Sequence, residues 1–402
     1  MSFVGNGAAQ IALLAMIYDR TGSSTWVAGG LVATHGVTVF AGLFASSVSD
    51  RVDRRKVMIT SELAGAACYL AMAATSRLDV LLVMAVVASL MASPFNSASG
   101  AAIPNLVDSD RLGWANSLLS SGRNLGLTIG PALGGLLVAW VGARAVFALD
   151  GVSFLLSAAL ISTVTGRFSS DRGTGHSEGG VQAGLVFLWR DRVLRLLMTA
   201  EVVLVVGLGL VQVARVPLSR TLHVGSSGLG LMAGLWGAGL VAGSIAGRRL
   251  TEGNEAAVFM SGLVGVAAAS LAIGVIPWFV PILALHALVG FADSLDLIAG
   301  LSMRQRRTPD HVMSRVLAAN SSMVVVAQMA GYGAAGIVMT WVGPQAVYVL
   351  CAAAVAVSAV ICAPVLRLAR AGSGPGAREA DATASSPPGP PPPVPGPRRS
   401  RS

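Results

Sequence analysis

The chain of 402 residues is poor in charge, in aromatics and in cysteine, and each shortage removes a class of protein. Asp, Glu, Lys and Arg make up only 12% of it against 54% hydrophobic residues, too little polar surface to wet a soluble globular domain. Phe, Trp and Tyr reach 5%, so no aromatic cage around a cargo is expected, and most of these rings are read as anchors at a membrane interface. Cys68, Cys351 and Cys362 fall in apolar runs without paired or metal-like spacing, and are read as small buried residues with no disulfide. HExxH, GxSxG, CxxC and phosphate-loop patterns are missing, so neither an enzyme nor a metal or cofactor is expected.

What the chain has is apolar length. Twelve runs recur between short polar breaks: 3–18, 26–48, 57–76, 79–103, 114–140, 144–165, 194–215, 228–247, 256–275, 278–302, 315–341 and 345–366. Runs of roughly 17–25 apolar residues span the hydrocarbon core as helices. A membrane barrel would alternate over about ten residues, whereas both phases are apolar here. The expected fold is all-α, a polytopic protein with twelve transmembrane helices.

The net charge of +9 invites a nucleic-acid reading, but its placement decides otherwise. With the N-terminus inside, 22 of the 28 basic residues fall in cytoplasmic breaks or the tail, and five outside: Arg20, Arg77, Arg144, Arg215 and Arg220. Arg123 is left within the membrane. This positive-inside bias implies a bacterial-type inner membrane with both termini cytoplasmic, and no nucleic-acid partner. Residues 1–18 lack the basic start of a cleavable signal. That first run is short and without a cytoplasmic lead-in, as a truncated start would be.

The chain repeats itself. GARAVFALDGVSFLLSAAL at 142–160 aligns with GPQAVYVLCAAAVAVSAVI at 343–361, an offset of 201, and the GSS at 22–24 with the GSS at 225–227. Six spans per half leave both halves in the same orientation, the parallel-repeat plan of transporters that rock two bundles about a central site. Residues 1–165 and 194–370 are the expected bundles. The polar stretch 166–193, ending in the amphipathic VQAGLVFLWRDRV, is the cytoplasmic linker, and the Pro-rich 371–402 is an expected disordered tail.

Two motifs carry a resemblance. SVSDRVDRRKVM at 47–58 follows the second span, and Asp50, Arg51, Arg54 and Arg55 fit the loop pattern G-x-x-x-D-R-x-G-R-[RK] of the major facilitator superfamily, with Ser46 and Asp53 standing where its glycines belong. In GLTIGPALGG at 126–135, Gly126, Gly130, Pro131, Gly134 and Gly135 fit G-x-x-x-G-P-x-x-G-G, the fifth-helix signature of that superfamily's proton antiporters. The chain resembles the drug, macrolide and siderophore exporter branch. The resemblance implies export of a small molecule by proton antiport from a monomer in a lipid bilayer. An uptake facilitator or symporter of the same fold, or a non-transporting sensor, is the alternative.

The glycines explain themselves physically. Lipid supplies no hydrophobic force between helices, so association rests on backbones approaching through small residues. Gly126, Gly130 and Gly134 form one stripe, and Gly230, Gly234 and Ala238 repeat the spacing in the eighth span. In this superfamily the fifth and eighth helices pack across the halves, so the stripes are expected to meet near the outer side, with a kink at Pro131. In the loop, Asp50 is expected to be held by a helix N-terminus or an arginine of the facing half, with Arg54 and Arg55 on acidic partners or lipid headgroups.

Ionisable residues inside spans are costly and are retained where they pair or face a cavity. Asp293 and Glu201 are the leading candidates to carry the proton. Asp150 is expected to brace against Arg123 or Arg144, and Glu62 to snorkel or bind a loop near the inner surface. His35 and His286 are read as helix contacts. The resemblance implies a cargo site between the halves near the midplane, lined by the first, fourth, seventh and tenth helices, which makes Asn6, Gln10, Asn96, Gln212 and Asp293 the cavity candidates.

Overall fold

The computed structural model describes residues 2–51, 53–107, 112–165, 168, 181–251 and 253–372. The tail over 373–402 and, Phe168 apart, linker residues 166–180 lie outside the described residues, as do the side chains of Asp50, Arg51 and Arg123. The elements are α1 (Ser2–Thr21), α2 (Ser24–Arg51), α3 (Arg54–Ala74), α4 (Leu78–Leu106), α5 (Leu112–Thr163), α6 (Val181–Arg190), α7 (Arg192–Thr221), α8 (Gly225–Ala246), α9 (Glu255–Val275), α10 (Phe279–Arg307), α11 (Asp310–Val338) and α12 (Pro344–Gly372). No strand occurs among the described residues.

α5 is two limbs joined at Gly142, whose φ of 83° and ψ of 158° interrupt the helix. The break falls between the fifth and sixth apolar runs, at a residue whose backbone sits in a region that favours glycine, and Pro131 lies within the first limb. With α5 divided there and the short α6 left aside, the helices number twelve, one for each apolar run. Nine stretches among the described residues are long and apolar enough to cross a membrane, with 128–163 counted as a single stretch of 36 residues.

The duplication is visible in the backbone. Gly22 (φ 61°) and Gly225 (φ 57°) occupy equivalent turns after the first helix of each half, where a left-handed residue ends one helix and opens the next. In the first bundle α1 and α3 pack on α5, and α2 and α3 on α4; in the second, α7 packs on α11 and α12, and α10 on α8 and α9.

Trp26, Trp140, Trp278 and Trp341 stand exposed at the end of the molecule where α1 gives way to α2, with Trp140 and Trp341 at 84% and 85%. An amphipathic ring at a helix end suits a membrane interface. Contacts between the bundles gather towards this same end. Arg220 donates to Asp19, the Thr25 hydroxyl donates to the Gly336 carbonyl at 2.9 Å, and Gly135 lies against Gly230.

Candidate functional site

A cavity of about 330 Å³ opens within the first bundle, walled by α1 to α5. Asn6 and Gln10, one turn apart on α1, and Asn96 on α4 line it. The Tyr69 hydroxyl donates to Asn6 Oδ1 at 3.2 Å, and its ring stacks on Phe154 with centroids 5.3 Å apart, so α3 and the second limb of α5 close the back of the pocket. Gln212 and Asp293 belong to the second bundle and do not line this cavity. Its site is one bundle rather than the seam between two.

Glu62 lines the same cavity and is 2% exposed, so the expected snorkelling is incorrect. It accepts from Ser157 rather than reaching water. Asp150 lies close enough for the two carboxyl charges to act on each other. The expected brace between Asp150 and Arg144 is also absent: Ser153 donates to Asp150 Oδ1 at 3.1 Å, and Arg144 turns to the Ser76 hydroxyl. Depth explains this, because Arg144 stands two residues past the Gly142 break, where its long side chain reaches the surface.

The second bundle holds a column of polar groups. Towards the tryptophan-lined end, Arg215 on α7 lies over the Trp236 ring at 5.4 Å and hydrogen-bonds the Tyr348 hydroxyl. His286 donates from Nδ1 to the Ile282 carbonyl at 2.8 Å, which leaves Nε2 to accept from Tyr348 at 3.0 Å. Asp293 accepts from the Trp236 indole and feels the charge of Arg215. Further along, Arg304 on α10 pairs with Glu201 on α7 and donates to Asn320 Oδ1 at 2.9 Å. Asp296 stands between the two groups, buried, with Oδ1 lacking a partner.

Two placements made from hydropathy are corrected here. Arg215, expected in an outer break, is 6% exposed inside α7, and Arg304, counted with the cytoplasmic breaks, is 3% exposed inside α10. Both helices run past the apolar windows, α7 through Pro217 to Thr221 and α10 to Arg307. A guanidinium that finds a carboxylate or an aromatic face can stay in the bilayer, and such pairing is invisible to a window average.

The glycine stripe of α5 has a different partner from the one expected. A Cβ at Gly130 would lie 2.7 Å from the Val4 carbonyl and 3.0 Å from Gly7 Cα, while Gly126 abuts Phe3 and Gly134 abuts Ala8. The triplet therefore seats α1 within its own bundle. α8 meets the adjacent face: a Cβ at Gly135 would lie 2.6 Å from Gly230 Cα, and Gly234 meets Ala132 and Thr128. Ala238 is exposed and takes no part. Consecutive residues stand about 100° apart around a helix, so Gly135 cannot share the face of Gly134.

A family model described as Major Facilitator Superfamily matches residues 1–214 and 197–399. The chain belongs to the major facilitator superfamily. The multidrug efflux pump Tap of Mycobacterium tuberculosis (strain ATCC 25618 / H37Rv) is 30% identical over 212 residues, 49% of this chain and 50% of that protein. The chain thus spans about half the length of the multidrug pump it matches. The uncharacterized MFS-type transporter YfiS of Bacillus subtilis (strain 168) is 27% identical over 336 residues, 78% of each.

Among solved structures, a bacterial homologue of the iron transporter ferroportin in its inward-facing state matches with a TM-score of 0.67 at 16% identity, covering 90% of this chain and 95% of that one. A bacterial homologue of the human lysosomal transporter Spinster, inward-facing and unoccupied, gives 0.66 at 14% identity, covering 92% and 93%. At these identities the likeness carries the fold. As a member of this superfamily the chain is an integral membrane protein of a family that binds and moves small molecules.

The superfamily loop has a local logic in this chain. Asp53, which replaces a glycine of the pattern, caps α3 by accepting from the amides of Arg55 at 2.8 Å and Lys56 at 3.3 Å. Arg55 donates to the Ser162 carbonyl in the last turn of α5 and lies over the Phe168 ring at 5.8 Å, and Arg54 donates to the Phe168 carbonyl at 3.5 Å. Two of these contacts are to carbonyls, one of them in the last turn of α5, where a helix C-terminus presents unpaired acceptors to a cation.

Proposed function

We propose that this superfamily member exports a small molecule of drug, macrolide or siderophore type by proton antiport. It would work as a monomer in a bacterial-type inner membrane with both termini cytoplasmic, its bundles at 1–165 and 194–370 rocking about a linker at 166–193, with 371–402 a cytoplasmic tail. The observation that carries the coupling is the charge balance of the second bundle: Glu201, Asp293 and Asp296 face only Arg215 and Arg304 among the described groups of that column. Three carboxylates against two guanidiniums leave one negative charge in a low-dielectric interior, and a single proton removes it.

The form described here is closed at the tryptophan-lined end, which the positive-inside bias makes the outer one. Asp19–Arg220, Thr25–Gly336 and Gly135–Gly230 then act as the outer gate, which opening would break. The loop at Asp50, Arg51, Arg54 and Arg55 acts at the inner end, and Gly126, Gly130, Pro131, Gly134 and Gly135 keep α5 thin enough to move against α1 and α8. Export rather than uptake is favoured by the likeness to the multidrug efflux pump Tap.

Inverted membrane vesicles with an acidified interior and a pH-sensitive dye test this reading. Cationic drugs, macrolides and siderophores are added singly, with Asp293→Asn and Asp296→Asn alongside. The expected result is alkalinisation on adding one class of compound, lost in at least one variant. Silence across the panel, with protein shown folded and inserted, sinks the export reading and leaves uptake or a sensing role.

A further inference from the structure

We propose that the first-bundle cavity is a subsite for an organic cation, a protonated amine whose ammonium is held by Glu62 with Asp150 behind it. The inference deepens the export reading, on which it rests for its physiological meaning, by naming the chemical class of the cargo.

Glu62 and Asp150 are each 2% exposed, and neither belongs to an ion pair among the described residues. Each keeps one oxygen without a partner, Glu62 Oε2 and Asp150 Oδ2. The hydroxyls that reach them, Ser157 to Glu62 and Ser153 to Asp150 at 3.1 Å, leave those second oxygens open. On α1 a Cβ at Gly5 would fall on Asp150 Oδ1, so the backbone of α1 lies directly over this carboxyl. The two serines stand four residues apart on α5, so the two buried carboxyls with vacant acceptor positions face the same side of that helix, and together they call for a donor that carries positive charge.

The cavity supplies the rest of such a ligand's contacts. Arg, Lys and Asp contribute nothing to its described lining, and Glu62 is its one carboxylate. His35 commits Nδ1 to the Leu31 carbonyl at 3.1 Å and sets its ring edge-on to Tyr332 across the bundles at 5.4 Å. Tyr69 and Phe154 form a stacked wall beside Glu62, and an aromatic face attracts a desolvated cation. Asn6 and Gln10 offer amide acceptors and donors, while Phe3 and Phe95 take an apolar body. The volume of about 330 Å³ suits one ring and a short chain rather than a macrolide. Glu62 sits eight residues into α3, roughly 12 Å from its start at 1.5 Å per residue, and its side chain is buried against the cavity wall.

Equilibrium binding to the full chain in lipid nanodiscs reads this without transport. Three labelled probes of matched size are used: 4-phenylbutylammonium, its neutral N-acetyl amide, and 5-phenylpentanoate. The ammonium is expected to bind at least tenfold more tightly than the amide, with the carboxylate weakest. Glu62→Gln is expected to erase that preference and Asp150→Asn to reduce it, each variant being checked for native melting temperature. Equal binding of ammonium and amide by the native protein overturns the proposal, as does a folded Glu62→Gln that keeps the preference. Proton-coupled export of a neutral or anionic compound with no ammonium preference defeats this inference alone. Ammonium preference with silent vesicles defeats the export reading alone.

Discussion

Arg220, near the end of α7, donates across the molecule to Asp19, near the end of α1, and the two chain positions differ by 201. The duplicated first helices of the two halves are thus tied to each other at the closed end. Both side chains are partly in solvent, at 37% and 51% exposure, so the pair is worth about 0–1 kcal/mol. At the upper end of that range it tilts a conformational balance about fivefold without unfolding anything. Arg220→Gln is expected to raise labelling of Thr25→Cys by an impermeant maleimide added from outside several-fold, with an unchanged melting temperature. Labelling equal to that of the Thr25→Cys parent excludes the pair as a latch.

The two faces of α5 separate stability from conformational change. Gly134 abuts Ala8 inside its bundle, whereas Gly135 abuts Gly230 across the seam. Gly134→Leu must push α1 away from its own bundle and is expected to lower the folded yield. Gly135→Leu wedges the closed end apart, and is expected to leave yield near normal while export falls more than tenfold. Detergent-stable protein from both, with equal activity, defeats this division.

Arg304 and Glu201 are a buried pair at 4% and 12% side-chain exposure, with Asn320 also on Arg304. Breaking such a pair from one side leaves a charge in the interior and costs about 3–5 kcal/mol. Arg304→Met alone should therefore melt far below native protein. The double variant with Glu201→Met should recover a large part of that loss, a non-additivity that a thermal double-mutant cycle measures directly. Additive losses would mean that the two residues act independently.

Asp53 caps α3 through its side chain. Asp53→Ala is expected to cost about 0.5–2 kcal/mol, and Asp53→Gly, the residue of the superfamily pattern, only a few tenths. Hydrogen exchange at the amides of Arg55 and Lys56 should accelerate in the alanine variant first. Alanine and glycine variants with the same exchange rates would remove the cap from the account.

Much of the architecture was legible because a bilayer imposes one rule on every span. Each backbone group must be bonded within the helix and each outward face must be apolar, so apolar runs, loop arginines and the 201-residue repeat together point to paired bundles. The polar residues of the first bundle were legible for the same reason: Asn6, Gln10 and Asn96 stand out against apolar neighbours, and the structure brings them to one cavity. Asp53 could have been found from the liking of Asp for helix N-caps, had it not been read as a departure from a glycine pattern.

Arg215, Arg304 and Glu62 show what a window average misses. Their burial depends on Tyr348, Glu201 and Ser157, partners 133, 103 and 95 positions away in the chain, and hydropathy assigns a cost to each residue alone. The partner of the glycine stripe was hidden in the same way, since Gly126, Gly130 and Gly134 declare a close neighbour without saying which helix it is.

The sequence by itself determined that this protein is a duplicated bundle of membrane helices, because span length, charge asymmetry and repeat are properties of chain order and of the bilayer. Only the tertiary structure decided that α5 turns its glycine triplet to α1 and Gly135 to α8, that the second bundle carries a column of paired charges, and that Glu62 and Asp150 stand together beside a cavity. Those are relations between helices. They follow from which faces pack and which buried charges find partners, and no single segment encodes them.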